Sequence, residues 1–208
     1  LKSLFIEECN SHRIDLHSNE VTCYGTYRRL ILYAPHFPSV QSASNRIVQG
    51  PPLSISTKDG VWQAPAKGFA SRLGLTPDDL TITQDDKGRD ILQADIHEPE
   101  QDSIRILPDL LQSVVSSLQL PIAMKWCDNE GPFLRPVQWI LCMMDDAVVP
   151  LRLFNIDSDQ YSFGHRFLTK HPQTIATGEA VKIDHADTYV DQMRFSKVLV
   201  SQDERRQM

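Results

Sequence analysis

Val137-Gln138-Trp139-Ile140-Leu141-Cys142-Met143-Met144 and Val148-Val149-Pro150-Leu151-Arg152-Leu153-Phe154 flank the short polar step Asp145-Asp146-Ala147. Two runs of strand-forming residues joined by so tight a connection read as paired strands. Upstream, residues 108–118 place Leu110, Leu111, Val114, Val115 and Leu118 on one face at helical spacing. Downstream, Lys182-Ile183 and Val198-Leu199-Val200 read as two strands flanking a helix near 186–193. Asp85-Asp86-Lys87-Gly88 is a turn between two strands, the second ending near His97. Residues 64–73 predict a helix closed by Gly74 in the left-handed cap position. Thr76-Pro77-Asp78-Asp79 then supplies an N-cap, a first-turn proline and acids suited to a helix N-terminus.

Nearer the start, Leu1, Leu4, Phe5 and Cys9 mark a short amphipathic helix within 1–14. Val21-Thr22-Cys23-Tyr24 alternates as a strand, and 29–34 is a near-continuous apolar run, the pattern of a central strand. Pro35 and Pro38 end it, and the Ser-rich connection 39–44 predicts an internal boundary between 1–38 and 45–208. Gly50-Pro51-Pro52 forces extended backbone beside an unusual turn. Helices and strands are mixed, with several hairpin signals. The fold class is therefore α+β (mixed α/β), with largely antiparallel sheets and flanking helices.

At 208 residues and 41% hydrophobic composition the chain can bury a sizeable core, and 23% charged residues argue against disorder. No apolar run reaches the roughly 18 residues of a membrane helix, and no signal peptide is visible. The four cysteines (Cys9, Cys23, Cys127, Cys142) lack close pairing, which fits a reduced, cytoplasmic setting and excludes the usual zinc spacing. A net charge of −6 is unlike a stand-alone nucleic-acid module. Any RNA contact is expected to use a local patch. The chain starts at Leu1 and stops in Asp203-Glu204-Arg205-Arg206, so both ends are expected to be cuts from a longer protein.

No phosphate-binding glycine loop, nucleophile elbow or HExxH motif is present. Asp145-Asp146 reads as turn chemistry rather than a magnesium pair. His185 and Asp187 are two apart and would not share a helical face. Cys127, beside Lys125 and Trp126, is a structural cysteine rather than an activated thiolate, since no histidine pairs with it in the sequence. Arg28-Arg29 either grips a phosphate bidentately or, at the entry to a buried strand, has one of the pair snorkel or pair with an acid. Gly164-His165-Arg166-Phe167 either stacks on a nucleotide and holds its phosphate, or forms a turn whose Phe167 anchors the core. Both pairs of readings stay open at this level. No catalytic residue and no metal ligand is assigned.

Seven landmarks resemble, in order, the N-terminal region of the bacterial glycyl-tRNA synthetase β subunit family. They are Gly25-Thr26-Tyr27-Arg28-Arg29-Leu30, Gly50-Pro51-Pro52, Ala66-Lys67-Gly68-Phe69-Ala70, Met124-Lys125-Trp126, Phe133-Leu134-Arg135-Pro136-Val137-Gln138-Trp139, Gly164-His165-Arg166-Phe167 and Asp203-Glu204-Arg205-Arg206. Tyr27 stands where the family pattern has proline, Cys127 where it has glycine, and Gln138 where it has histidine. The resemblance covers the whole chain but only the front third or so of a family member, and an opening strand of the family would precede Leu1. It implies a domain related to the B3/B4 module of phenylalanyl-tRNA synthetase. It implies an accessory part of an enzyme that joins glycine to tRNA(Gly) with ATP and Mg2+. A catalytic α chain or fused α region would carry that chemistry, and further β domains would follow. Arg135 lies in a segment without the partner glutamate of a class II ATP site, so no cofactor site is expected here. Arg28, Arg29, Lys125, Arg135, His165 and Arg166 are the residues expected to touch RNA or a partner domain. Hydrolytic editing of misacylated tRNA and a purely structural spacer are the alternatives.

Overall fold

The hairpin at Asp145-Asp146 forms, but in shorter pieces than the apolar runs promise. A computed structural model describes residues 1–126, 131–169 and 178–208; Cys127 lies outside them. Met143–Met144 pairs antiparallel with Ala147–Val148, with Asp145 in the left-handed region at φ 53°. The expected 137–144 strand is divided, because Ile140–Leu141 pairs instead in parallel with Ile156–Asp159. The expected 148–154 strand breaks at Pro150, which lacks a ladder donor, and resumes as Arg152–Leu153. Arg152–Leu153 pairs antiparallel with Ile156–Asp159 across Phe154 and Asn155, both left-handed at φ 54° and 61°. Two such residues give the primed turn whose twist matches a two-residue hairpin.

The helix expected at 108–118 starts earlier, as Ser103–Ser116, with Pro108 inside it. Read as a helix opener, Pro108 instead sits in the second turn, where it removes one backbone donor. Ser103, Leu107, Leu110 and Val114 form its buried stripe. The helix packs on Lys2–Ser11, whose Phe5 and Cys9 are buried. These side chains share a core with Ile14, Leu16, Val21 and Val149.

Leu30–Tyr33 pairs with Thr22–Gly25 alone among the described residues, so the expected central strand has one neighbour. Its apolar run has another cause. Leu32 packs on the core just described, while Ile31 packs on a second core of Ile183, Tyr189, Met193, Val198 and Val200. Both faces are covered without a third strand. Residues 198–200 form no strand, although Val198 and Val200 are buried. Their segment is held by Arg205, whose Nη1 donates to the Leu199 and Val200 carbonyls at 2.6 and 2.9 Å; its Nη2 donates to the Gly25 carbonyl at 2.7 Å. Ala180–Lys182 pairs with Tyr161–Phe163, and a helix follows at Tyr189–Phe195.

By contact the chain groups into Leu1–Gln41 with Gln101–Met208, and Ser42–Glu100, which differs from a division at 38 and 45. Within the first unit, Val40–Gln41 pairs antiparallel with Gln101–Asp102. The second unit is a three-stranded antiparallel sheet of Ser44–Pro52, Asp90–Glu98 and Thr81–Gln84, the long Asp90–Glu98 strand in the middle. The helix Ala64–Arg72 contributes Ala66, Phe69 and Ala70 to its core, with Leu80, Leu92 and Ala94. As expected, Gly74 follows that helix with φ 71°. Gly50-Pro51-Pro52 lies at the end of its strand, where the register shifts between Gln49 and Pro52. An added Cβ at Gly50 would sit 2.5 Å from the Phe69 ring. The mixed α+β architecture with mainly antiparallel pairing is as the sequence reading expects.

Candidate nucleic-acid interface

Thr26 shapes the tip of the first hairpin. Its Oγ1 accepts from the backbone N–H groups of Arg28 (3.2 Å) and Arg29 (2.9 Å), and its own N–H donates to the Arg29 carbonyl. The loop leaves Tyr27 94% exposed and sets two guanidinium groups side by side. Trp139 receives both: the Arg28 and Arg29 Cζ atoms lie 5.8 and 5.4 Å from its ring centre, within cation–π range. Phe163 meets the same indole edge-on at 4.9 Å.

The two arginines differ in role. Arg29 Nη2 donates to the Phe163 carbonyl. Arg29 Nε is buried and meets no acceptor among the described residues. Arg29 is thus a strut between the hairpin tip and Tyr161–Phe163. Arg28 faces other cations. Burial first, then the charges of Arg166 and Arg135, hold its pKa below the usual arginine value. The group nonetheless remains protonated. Arg135 Nη1 donates to the Tyr27 carbonyl at 3.0 Å, and Arg166 Cζ lies 5.3 Å from the Phe167 ring centre. Three cations from three separate segments therefore act on one small region.

The Gly164-His165-Arg166-Phe167 turn is built by backbone bonding. His165 N–H donates to the Ser196 carbonyl, and His165 Nδ1 accepts from the Phe167 and Leu168 N–H groups, each at 3.2 Å. That bonding occupies Nδ1 and makes His165 a positioning residue for Arg166. Phe167 does not anchor the core: it is 77% exposed. Gly164 has no room for a side chain, because an added Cβ would meet Thr169 at 2.8 Å. Lys125 is exposed, and no hydrogen bond, ion pair or ring contact among the described residues joins it to the arginines. Its neighbours Trp126 and Phe133 pack instead on Phe154, at 5.5 and 5.2 Å between ring centres.

No set of three His, Cys, Asp or Glu side chains gathers as a metal site among the described residues. No helix among them is long and apolar enough to cross a membrane. The second unit carries an open groove of about 460 Å³ between Gly50-Pro51 and Phe69, Arg72 and Leu73. None of the expected site residues lines it.

The family model described as glycyl-tRNA synthetase beta subunit matches residues 1–208. The chain belongs to that family. It is 32% identical to the glycine–tRNA ligase beta subunit of Dictyoglomus thermophilum over 97% of its own length and 28% of the relative's. For the Halothermothrix orenii beta subunit the identity is 30%, over 100% of the chain and 28% of the relative. For Synechocystis sp. it is 34%, over 93% and 26%. The chain thus spans about a quarter of the length of the glycyl-tRNA synthetase beta subunits it matches. The arginines are visible in the sequence as residue types, but Trp139, the ring on which Arg28 and Arg29 meet, is not. The available signal was an indole two residues past a Pro-Val step beside Arg135. Arg205, read as part of a charged terminal run, was missed as a clasp.

Proposed function

We propose that the chain is an RNA-contacting accessory region of a cytoplasmic glycine–tRNA ligase. Arg28, Arg135 and Arg166 hold phosphate oxygens of tRNA(Gly), while Arg29 and His165 set their positions and Lys125 adds a peripheral charge. The reading rests on one observation: Arg28 and Arg29 lie together on the Trp139 ring while Arg135 bonds the carbonyl of Tyr27 beside them, so three guanidinium groups share one hairpin tip. Guanidinium groups on neighbouring segments offer several donors at once to phosphate oxygens, and binding a polyanion releases its counterions. The net charge of −6 makes such a patch local rather than a property of the whole surface. In this reading the patch orients RNA and performs no chemistry. ATP and Mg2+ act in the catalytic α chain or fused α region, with the remaining β domains completing the assembly. The chain would correspond to the module related to the B3/B4 domain of phenylalanyl-tRNA synthetase. Titration with tRNA(Gly) at several salt concentrations tests this. Arg166→Ala weakens binding and lowers the salt slope by about one; an unchanged slope excludes a phosphate contact at Arg166.

A further inference from the structure

We infer that the arginine cluster takes unpaired nucleotides, with the exposed rings of Tyr27 and Phe167 as stacking faces beside the guanidinium groups. The inference rests on the RNA-contacting reading above and names the kind of RNA. Tyr27 is 94% exposed and Phe167 77% exposed, so neither ring contributes appreciably to a core. Each is tied to a cation of the cluster. Arg135 bonds the carbonyl of Tyr27, and Arg166 lies over the Phe167 ring.

The backbone under each ring is fixed. Thr26 Oγ1 ties the residues following Tyr27, and His165 Nδ1 accepts the N–H of Phe167 itself. Exposed rings on a braced backbone present their faces at little ordering cost. A-form duplex RNA has nothing to lay on such faces, because its bases are already stacked on one another and its phosphates line the grooves. Unpaired nucleotides offer free base faces together with phosphates. Stacking on aromatic and guanidinium planes is the usual means of holding them.

The test is fluorescence anisotropy of the 208-residue chain with two labelled RNAs at one salt concentration. One is a single strand of about eight nucleotides, within the usual site size. The other is a duplex long enough to stay paired, and each RNA is compared with itself before and after the substitution. Tyr27→Ala and Phe167→Ala are each expected to weaken single-strand binding roughly 5- to 100-fold. Duplex binding and the salt slope stay as in the unaltered chain, and Tyr27→Phe retains tight binding. Equal loss for both RNAs, or no loss for either, overturns the inference. If Arg166→Ala still lowers the salt slope in that case, the phosphate-contact reading survives without it. If neither RNA binds, both readings fall, and the rings then belong to a protein interface.

Discussion

Two glycines in the Ser42–Glu100 unit should respond to alanine with opposite sign. At Gly50 a new Cβ would lie 2.5, 2.8 and 2.9 Å from three atoms of the Phe69 ring. Carbon atoms normally meet at about 3.5–4.0 Å, so the ring or the strand must move by about 1 Å. Phe69 is 5% exposed and packed with Leu92 and Ala94, so its ring can give only toward the open groove beside Gly50-Pro51. Overpacking of this kind costs about 1–3 kcal/mol. The lower chain entropy of alanine in the unfolded state offsets about 0.4–1 kcal/mol of that. The net expectation is a loss of about 1–2 kcal/mol. Gly68 lies inside the helix Ala64–Arg72 with nothing within 4 Å of an added Cβ. Alanine there should stabilise by about 0.5–1 kcal/mol, because glycine is a poor helix residue. Native-state hydrogen exchange at the Leu92 and Ala94 amides reads both, since these strand residues belong to the same core. Gly50→Ala should speed their exchange about 5- to 30-fold, and Gly68→Ala should slow it by about 2- to 5-fold. If both alanines move exchange in the same direction, or Gly50→Ala leaves it unchanged, the close packing of Gly50 on Phe69 does not limit this unit.

Arg205→Ala removes three charge-assisted bonds to the Leu199, Val200 and Gly25 carbonyls and should cost about 2–4 kcal/mol in urea unfolding, with Arg205→Lys recovering only part. A loss within experimental error would show that water replaces the clasp. Burial, aided by the Glu8 charge, pushes the Cys9 thiol up to about 12, and burial alone does the same for Cys142. At pH 8 an alkylating reagent followed by peptide mass spectrometry should therefore leave both unmodified in the folded chain. The same shift has a stability consequence. Unfolded thiols ionise near their ordinary value of 9.0 while the folded ones stay protonated. Their contribution is thus fully present below about pH 9 and is lost as pH rises from 9 toward 12. Flat unfolding free energy across that window would contradict the burial of both thiols.

Features written in adjacent residues are legible in the sequence alone. The turn at Asp85–Gly88 and the helix closed by Gly74 depend on backbone chemistry within a few positions, and both stand where the residues put them. Residues 29–34 were misread as a central strand for a nonlocal reason. An apolar run reports that both faces are covered, not what covers them, and here two cores do so. Residues 198–200 failed in the same way, since buried valines look alike whether a strand or an arginine holds their backbone. In the candidate site, the charges were visible as residue types. Their gathering was not, because Arg28, Arg135 and Arg166 come from distant segments that meet only in the fold. The Gly50 and Phe69 motifs illustrate the same limit: they are separate in sequence, yet one leaves the space the other fills.

The pairing of Val40–Gln41 with Gln101–Asp102 makes the whole Ser42–Glu100 excursion equivalent, at its root, to the loop of a hairpin. The outgoing and returning chains are held one strand spacing apart, a gap that a two-residue turn can close. Joining Gln41 to Gln101 through Asn-Gly would therefore shorten the loop without altering its anchor. The closure entropy falls, because it grows with the logarithm of loop length. The excursion is in this sense a cassette: the chain leaves for Ser42–Glu100 and returns from it through one paired root.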